Sequence, residues 1–344
     1  MTLQRKLSIA VAGMVLLSVS GFSGHHAPGW KLSETGVSAR FRGLAPVSDR
    51  VAWVAGTEGT VLRTTNGGRD WASVGPADAA GLQFRDIEAF DAAHAVALTI
   101  GEGTDSRVYA TSDGGRSWTE SFRNSDPAAF YDCITFLDRR HGLALSDPVG
   151  GKFRILATAD GGRSWKVRPS AGMPDALTGE FAFAASGTCL VSAGGKAWFA
   201  TGGGATARVF TSRDGGHHWS VTDTPVPSGP SAGIYSLAVQ KSGRAVAVGG
   251  DYVTPESAPA GAAYLHGRNW TVARTVPGEY RSGSAWLGRT TALTVGPTGS
   301  DISYDGGRNW KRFDTGSFDA VECTAGGACW ASGEAGRVAK LSYR

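Results

Sequence analysis

The chain has 344 residues, of which 50 are glycine, and only 19% of its residues are charged. Glycine is about twice as frequent as in average proteins, and because the glycines stand at regular junctions they indicate many tight turns rather than a low-complexity segment. The net charge of +4 comes without a long run of Lys or Arg, so the sequence does not indicate a nucleic-acid partner.

The N-terminal segment is typical of a secretory signal. Arg5 and Lys6 form a charged start, and the 13 residues from Leu7 to Val19 form an apolar stretch shorter than a usual membrane-spanning helix. Small residues follow, so we predict a signal peptide over 1–27, cleaved near Ser23 or near its last residue. The mature chain is then secreted or periplasmic and has no stable membrane span. An uncleaved N-terminal anchor is the alternative interpretation.

One short phrase recurs along the rest of the chain. Its first copy is Thr-Thr-Asn-Gly-Gly-Arg-Asp-Trp at 64–71, and related copies stand at 111–118, 158–165, 212–219 and 303–310. A worn copy ends at Trp270, and the successive tryptophans are 47, 47, 54, 51 and 40 residues apart. A period of 40 to 50 residues indicates a repeat fold, in which each unit is too small to bury its own hydrophobic face.

Each unit is predicted to contain four short β-strands. In the second unit, residues 84–90 alternate apolar and polar side chains, residues 95–99 are mostly apolar, and the segments 107–111 and 118–122 flank the phrase. The phrase is therefore the turn between the third and fourth strands, where glycine takes positive φ without strain. The tryptophan opens the outer strand and is expected to pack over the turn. Four strands per unit, repeated radially, predict an all-β fold, the β-propeller.

The two ends of the chain decide the number of blades. After the last phrase the chain offers three strands without a fourth, and residues 29–34 look like a fourth strand without partners. Joining them completes a seventh blade and leaves no open sheet edge. We predict one seven-bladed domain over 28–344, with units at 36–76, 82–123, 130–168, 178–222, 232–275, 279–313, and 316–344 plus 28–35. A six-bladed ring with a loose N-terminal arm is the alternative.

The four cysteines bear on the predicted export. Cys323 and Cys329 lie on neighbouring strands of the last blade, so a disulfide between them is expected in an oxidising compartment. Cys133 and Cys189 fall at strand positions of different blades, and we expect both to be buried and free. No metal-type Cys-x-x-Cys spacing occurs, and the sequence indicates no metal and no cofactor.

Connections in an antiparallel blade alternate between the two faces of the disc. The phrases lie on one face, and the innermost strands begin on the other, around the mouth of the central channel. The residues that we predict at this mouth, as candidates for binding a ligand or partner, are Arg42, Arg85, Asp86, Tyr131, Asp132, Asp147, Glu180, Tyr235, Asp251, Arg281 and Asp319. Arginines beside carboxylates and tyrosines would suit a carboxylate, a sugar or a peptide segment. Alternatively, these charges only pair with one another and with water.

The residues of the phrase itself are predicted to be structural. Glycine pairs that cradle phosphate open a helix, and no helix follows here, so the turns are not phosphate sites. The acidic and histidine side chains of the turns are therefore not interpreted as catalytic or metal-binding. The positions predicted to build the turns are Asn66, Trp71, Asp113, Trp118, Asp160, Trp165, Asp214, Trp219, Asp305 and Trp310.

The phrase resembles the Asp-box, or bacterial neuraminidase repeat, of sialidases and sortilin-type propellers, which marks a fold feature rather than an activity. Longer stretches resemble the bacterial, non-photosynthetic branch of the photosystem II stability/assembly-factor family; they are 41–44, 51–56, 59–65, 84–90, 141–144, 146–148, 183–188 and 295–301. The resemblance covers almost the whole chain after residue 30, and it implies an exported seven-bladed propeller that scaffolds other proteins. Members are often labelled oxidoreductases, but no cofactor motif is present here.

Two functions of different classes follow. The first is a non-catalytic binding module that takes a protein or peptide partner, possibly within an envelope complex, and that acts as a monomer. The second is a sialidase-like glycan hydrolase, which needs an arginine triad, a tyrosine nucleophile with a carboxylate base, and an acid. A tyrosine hydroxyl within hydrogen-bond reach of a carboxylate, inside the arginine cluster, would distinguish the second function from the first.

Overall fold

The computed structural model describes residues 27–343. The predicted signal peptide, apart from its last residue, therefore lies outside the described residues. The described chain forms seven separate four-stranded antiparallel sheets, which confirms the predicted seven-bladed propeller. Two single-turn 3₁₀ helices are its only helical elements within this part of the chain, and none of its helices is long and apolar enough to cross a membrane.

The first strand, β1 (Pro28–Ser33), precedes three blades that follow the sequence expectation closely. Their strands are β2 (Phe41–Pro46), β3 (Ala52–Gly56), β4 (Val61–Thr64) and β5 (Ala72–Ser73) in blade 1; β6 (Gln83–Ala89), β7 (Ala95–Ile100), β8 (Arg107–Thr111) and β9 (Thr119–Arg123) in blade 2; and β10 (Tyr131–Phe136), β11 (Gly142–Val149), β12 (Lys152–Thr158) and β13 (Lys166–Val167) in blade 3.

Four further blades complete the ring. Their strands are β14 (Leu190–Ala193), β15 (Lys196–Ala200), β16 (Arg208–Ser212) and β17 (Trp219–Asp223) in blade 4; β18 (Ala232–Val239), β19 (Ala245–Asp251), β20 (Ala262–His266) and β21 (Asn269–Val272) in blade 5; β22 (Gly283–Trp286), β23 (Ala292–Gly296), β24 (Gly299–Ser303) and β25 (Lys311–Asp314) in blade 6; and β26 (Ala320–Cys323), β27 (Cys329–Ser332) and β28 (Val338–Tyr343) in blade 7.

Strand β1 closes the ring as the outermost strand of blade 7. It pairs antiparallel with β28, from Pro28 opposite Tyr343 to Ser33 opposite Val338. Trp30 is 7% exposed and packs between blades 6 and 7, where its Nε1 donates to Ser300 Oγ at 2.9 Å. Because the N-terminal strand is fully paired, the six-bladed alternative with a loose arm is wrong.

The hydrophobic core lies between neighbouring blades. In one cluster, Val96 and Leu98 of blade 2 pack against Ile134 and Leu156 of blade 3, and all four side chains are at most 1% exposed. A fully buried side chain of this size stabilises the fold by roughly 1.5–3 kcal/mol. No blade therefore has a complete core of its own, and each is stabilised by contact with its neighbours.

The recurring phrase forms the same hydrogen-bonded turn in five blades. In blade 3, Thr158 Oγ1 accepts from Gly162 N at 3.0 Å and donates to Asp160 Oδ1 at 2.7 Å, while that Oδ1 accepts from Ser164 N at 3.0 Å. Gly161 and Gly162 have φ of +77° and +84°, which only glycine adopts without strain. We call these the Asp-Gly-Gly turns; the hydroxyl residues that hold them are Thr64, Thr111, Thr158, Ser212 and Ser303.

The tryptophans that close the phrases have two roles. Trp165 and Trp219 each donate Nε1 to the carbonyl of the second glycine of their own turn, at 3.1 and 3.2 Å, as expected for a ring that packs over its turn. Trp118 instead donates to Val74 O of the preceding blade at 2.6 Å. The phrase thus stabilises both the turn and the junction between blades.

Blade 4 differs from the sequence prediction, and so does the pairing of Cys133 and Cys189. Its innermost strand begins at Leu190 and not near residue 178, so Cys189 directly precedes β14. Cys133 lies near the start of β10 in the neighbouring blade, and the two Cα atoms are 6.2 Å apart. The expectation that both cysteines are free is wrong, because they form a disulfide between blades 3 and 4, although both are fully buried. Cys323 and Cys329 form a second disulfide.

Candidate functional site

The mouth of the channel is built by β-bulges. In blades 1, 2, 3 and 5 the innermost strand has one extra residue near its start, which forms a β-bulge. A bulge turns the side chain of the extra residue away from the direction that regular strand pairing would give it. The bulged residues are Arg42, Arg85, Asp132 and Tyr235. Each was predicted at the mouth from its place at the start of an innermost strand.

A segment of blade 4 crosses the channel at this mouth. Arg85 of blade 2 donates Nη1 to Ala184 O at 2.9 Å, and Ser186 donates Oγ to Ser282 O of blade 6 at 2.6 Å. Gly187 lies against the Asp86 carboxylate, since a Cβ there would be 2.4 Å from Oδ1. Residues 181–188, which we call the channel-crossing segment, therefore connect non-adjacent blades across the axis. A partner at this face meets a closed surface rather than an open channel.

Two arginines share one carboxylate on this surface. Arg40 donates Nε and Nη2 to the two oxygens of Asp319, both at 2.7 Å, and this bidentate pair raises the pKa of Arg40. Arg42 Nε lies 3.8 Å from Asp319 Oδ1 and has no hydrogen-bond partner within the described chain. Burial lowers the pKa of Arg42, whose side chain is only 21% exposed. The Arg42 guanidinium is thus partly desolvated, and it can still donate hydrogen bonds to an anionic group of a partner.

An aromatic cluster adjoins the arginines. Tyr235 stacks on Phe183 of the channel-crossing segment, with ring centroids 3.8 Å apart, and meets Tyr280 edge-on at 4.8 Å. Burial raises the pKa of both tyrosines far above its usual range. Tyr252, whose ring lies 6.4 Å from that of Tyr235, is 57% exposed, and its neighbour Val253 is 65% exposed. This exposed apolar surface adjoins the cationic one.

Asp132 and Asp147 form a carboxyl pair at the edge of the mouth. Burial and then the Asp147 charge hold the pKa of Asp132 well above its usual value, and Asp132 Oδ2 has no partner within residues 27–343. Burial likewise raises the pKa of Asp147 to about 6. Asp147 Oδ1 accepts from Ala182 N at 2.9 Å, which holds one end of the channel-crossing segment. Tyr131 is buried beneath, and burial raises its pKa to about 12.

Three carboxylates line the channel below the crossing segment. Asp86 accepts from Ile87 N at 2.8 Å and Ile134 N at 2.7 Å, yet burial raises its pKa to about 7. Burial and the Asp86 charge raise the pKa of Glu88 to about 8, and burial with both neighbouring charges raises that of Glu322. All three line a cavity of about 560 Å³. Within the described chain no group of three or more potential ligands could hold a metal.

Arg281 and Glu180 do not belong to the mouth surface, although both were predicted there. Arg281 is completely buried in blade 6, where Nε donates to Asp301 Oδ2 at 2.7 Å and Nη1 to Thr298 Oγ1 at 2.8 Å. Glu180 lies ten residues before β14 and forms a buried pair with Arg208 of β16. Arg281 precedes its innermost strand by two residues, so its side chain enters the blade instead of the mouth.

Asp251 also has a local structural contact. It ends β19 and accepts from Val253 N at 2.9 Å, so it shapes the loop that presents Tyr252. Three members of the surface were not predicted at all, namely Arg40, Phe183 and Tyr280. Arg40 stands just before β2, and the predicted strand pattern pointed to Arg42, which lies within the strand, instead. The alternation of Phe181 and Phe183 in the blade 4 linker was the one available signal for the aromatic cluster.

The arginine triad of a sialidase is not assembled among the described residues. Of the arginines predicted at the mouth, Arg42, Arg85 and Arg281, the last is buried with Asp301, so the three do not come together. Tyr235 donates its hydroxyl to Ser231 O at 2.6 Å, and the Tyr131 hydroxyl has no hydrogen-bond partner in the described chain. The geometry gives no support to the sialidase-like alternative.

Solved structures provide the comparison with known proteins. No family model and no curated protein matches the chain in sequence. A structure of YCF48 bound to D1 peptide has a TM-score of 0.66 at 14% identity and covers 92% of this chain and 97% of its own. YCF48 from Cyanidioschyzon merolae gives 0.63 at 15%, with 91% and 98% covered. A streptogramin B lyase gives 0.65 at 12%, with 92% and 98% covered.

These identities show a shared fold and no more. YCF48 is a photosystem II assembly factor, so the structural likeness agrees with the family resemblance at the level of architecture. The chain is therefore a seven-bladed β-propeller that shares its fold with YCF48 over almost its entire described length.

Proposed function

We propose that this protein is a non-catalytic scaffold that binds a protein or peptide segment at the channel mouth. One observation carries the proposal: the crossing segment spans the mouth, since Ala184 O accepts from Arg85 and Phe183 stacks on Tyr235, beside which the exposed Tyr252 lies. A closed surface with exposed aromatic and cationic groups suits an extended segment better than a small molecule, which prefers a concave pocket. That a fold neighbour was solved with a bound peptide supports this choice.

The chemistry of the surface indicates what the segment carries. Arg42 Nε is buried 3.8 Å from Asp319, so a partner carboxylate pairs with the terminal nitrogens of this 21% exposed side chain. Tyr252 and Val253 offer an apolar surface next to it. We therefore propose a segment with a carboxylate, either a side chain or a chain terminus, flanked by an apolar side chain.

Export of the protein belongs to the same proposal. Disulfides form and persist in oxidising compartments, and four cysteines in two disulfides favour the cell envelope or the exterior. We propose that the propeller acts there, as a monomer, within an envelope assembly.

The test is an affinity capture from a detergent-solubilised envelope extract. The full chain is compared with the variant Arg42→Ala/Arg85→Ala/Tyr252→Ala, which we expect to weaken binding of the captured partner about 100-fold in a subsequent titration. Arg281 is left unchanged because its replacement would disturb the core. Both proteins must first show the same thermal midpoint.

A matched control removes the same side-chain types on the opposite face, in Arg213→Ala/Arg268→Ala/Tyr304→Ala. We expect this variant to retain the partner. If both triple variants retain the same proteins, or both lose them, the mouth is not the partner surface and the proposal fails.

A further inference from the structure

The opposite face of the disc brings two families of loops together. Antiparallel pairing places the Asp-Gly-Gly turns and the loops between the first and second strands at the same end of each blade. In four blades the first turn glycine donates its N–H to a carbonyl of the other loop, at 2.8–2.9 Å, with Arg50, Ala93, Arg140 and Thr290 as acceptors. These loops, together with the turn 267–268, form one surface, which we call the Asp-Gly-Gly face.

This face is strongly cationic. Its loops contain twelve Arg or Lys side chains against eight Asp and no Glu, in a chain whose net charge is only +4. All of the cationic residues except Arg308 are exposed. They are Arg50, Arg69, Arg116, Arg139, Arg140, Arg163, Arg213, Lys241, Arg244, Arg268, Arg289 and Arg308.

Four of the eight aspartates of this face are occupied by their own turns. Asp113, Asp160, Asp214 and Asp305 each accept hydrogen bonds from the hydroxyl and backbone groups of their phrase, which lowers their pKa values. Of the cationic side chains on the face, Arg139 alone lies within 4.0 Å of a carboxylate in the part of the chain that the structure describes, at Asp91.

Arginines elsewhere in the propeller behave differently. Of the thirteen other arginines in the described chain, eight lie within 4.0 Å of a carboxylate, namely Arg40, Arg42, Arg107, Arg123, Arg154, Arg208, Arg281 and Arg312. Arginines without a carboxylate partner are therefore concentrated on the Asp-Gly-Gly face. A surface of this kind attracts a planar or extended anion.

The N-terminus of the propeller leaves from the same face. Pro28, the first residue of the predicted mature domain, pairs with Tyr343 at the end of β28 that lies on this side. Two large aromatic side chains are exposed beside this point, Tyr343 at 51% and Tyr304, in the turn of the adjacent blade, at 57%. Tyrosine is enriched where proteins meet the boundary between lipid and water.

We propose that the Asp-Gly-Gly face docks on a bilayer that contains anionic phospholipids. Guanidinium groups pair with lipid phosphates, and the tyrosines lie at the headgroup level beside Pro28. The exposed side chains of Tyr304 and Tyr343 favour a membrane over a soluble polyanion. The proposal is independent of the partner site, because the mouth lies on the other face and stays accessible.

Vesicle co-sedimentation of the predicted mature domain, residues 28–344, tests the proposal. We expect tight binding to vesicles with 30% phosphatidylglycerol and weak binding to pure phosphatidylcholine, with the difference lost at high salt. The variant Arg163→Gln/Arg213→Gln/Arg268→Gln should lower the partition coefficient onto anionic vesicles by about 100-fold. All proteins begin at Pro28, the start of the predicted mature domain, so the apolar stretch Leu7–Val19 does not contribute to the binding.

The control is a variant with the same loss of charge away from the face, Lys31→Gln/Arg123→Gln/Lys152→Gln, which should bind within about two-fold of the wild type. Equal binding to the two lipid compositions overturns the proposal, as does an equal loss in both triple variants. A face variant that loses affinity for immobilised heparin but keeps it for anionic vesicles also overturns it, and assigns the face to a soluble polyanion.

Discussion

At the scale of single residues, burial separates charges that look alike in the sequence. Arg42 and Arg281 both stand at the start of an innermost strand. The first is a bulged residue on the mouth surface, whereas the second is completely buried and paired with Asp301. One residue of difference in register decides between a binding group and a core ion pair.

Removal of one partner from a buried ion pair leaves an uncompensated charge. Arg281→Ala should therefore lower the free energy of unfolding by about 3–5 kcal/mol, whereas Arg123→Ala, whose exposed pair with Glu120 is screened by water, should cost less than about 1 kcal/mol. Urea unfolding of both variants measures the difference. Equal costs would show that Arg281 is not desolvated.

The channel carboxylates make stability depend on pH. Their folded pKa values lie above the reference values of 3.8 and 4.5, at about 7 for Asp86, about 8 for Glu88 and raised for Glu322. Between these limits the folded state binds more protons at these three groups than the unfolded state, so their contribution to stability is most favourable at acid pH and falls as pH rises through about 8.

Glu322→Gln removes one of these charges and its repulsion of Glu88. We expect the variant to unfold at a higher temperature than the wild type at pH 9, with a smaller difference at pH 5, because burial raises the pKa of Glu322. Calorimetry across this range measures the slope. A variant with the unchanged slope of the wild type would contradict the assigned burial.

At the scale of elements, short-range bonds decided what could be predicted. The Asp-Gly-Gly turns were predictable because the hydrogen bonds of their hydroxyl and carboxylate side chains lie within five residues of sequence, as between Thr158 and Gly162. The channel-crossing segment was not, because its partners, Arg85 and Ser282, are about a hundred residues away in each direction. Because the crossing segment was not predicted, the start of β14 was placed too early in the sequence. For the same reason the disulfide partner of Cys189 was missed.

The second glycine of each turn also packs against a neighbouring blade. In Gly162→Ala the new Cβ would lie 2.6 Å from Val96 Cγ2 at a φ of +84°, so we expect a loss of about 2–4 kcal/mol. Gly267→Ala has a similar φ, +66°, but no atom within 4 Å, and should cost only about 1 kcal/mol. Chemical denaturation compares the two, and similar losses would show that backbone strain alone matters.

At the scale of the whole molecule, the predicted architecture holds because the repeat period, the blade count and the closing strand all follow from pattern. The candidate site was predicted in part: the mouth follows from topology, but which side chains reach it depends on bulges and on the crossing segment. Bulges such as that at Asp132 leave no clear trace in a single sequence.

The two disulfides constrain the ring to different extents. Cys133–Cys189 encloses a sequence separation of 56 and Cys323–Cys329 one of 6. Loop-closure entropy predicts losses of about 4 and about 2 kcal/mol when each pair is replaced by serines. Thermal unfolding of the two double variants, each against the oxidised wild type, measures the order. The reverse order would show that strain or residual structure outweighs the entropy of the unfolded chain.

The pairing of β1 with β28 has a consequence for the timing of folding. Strand β1 is the first strand to be synthesised, and its backbone stays unpaired until β28, the last strand, has been made. Blades 1 to 6 can form in order as they emerge, since each contacts mainly its neighbours. The ring itself cannot close on a growing chain, and a protein cut short before Val338 would present an exposed sheet edge to other molecules.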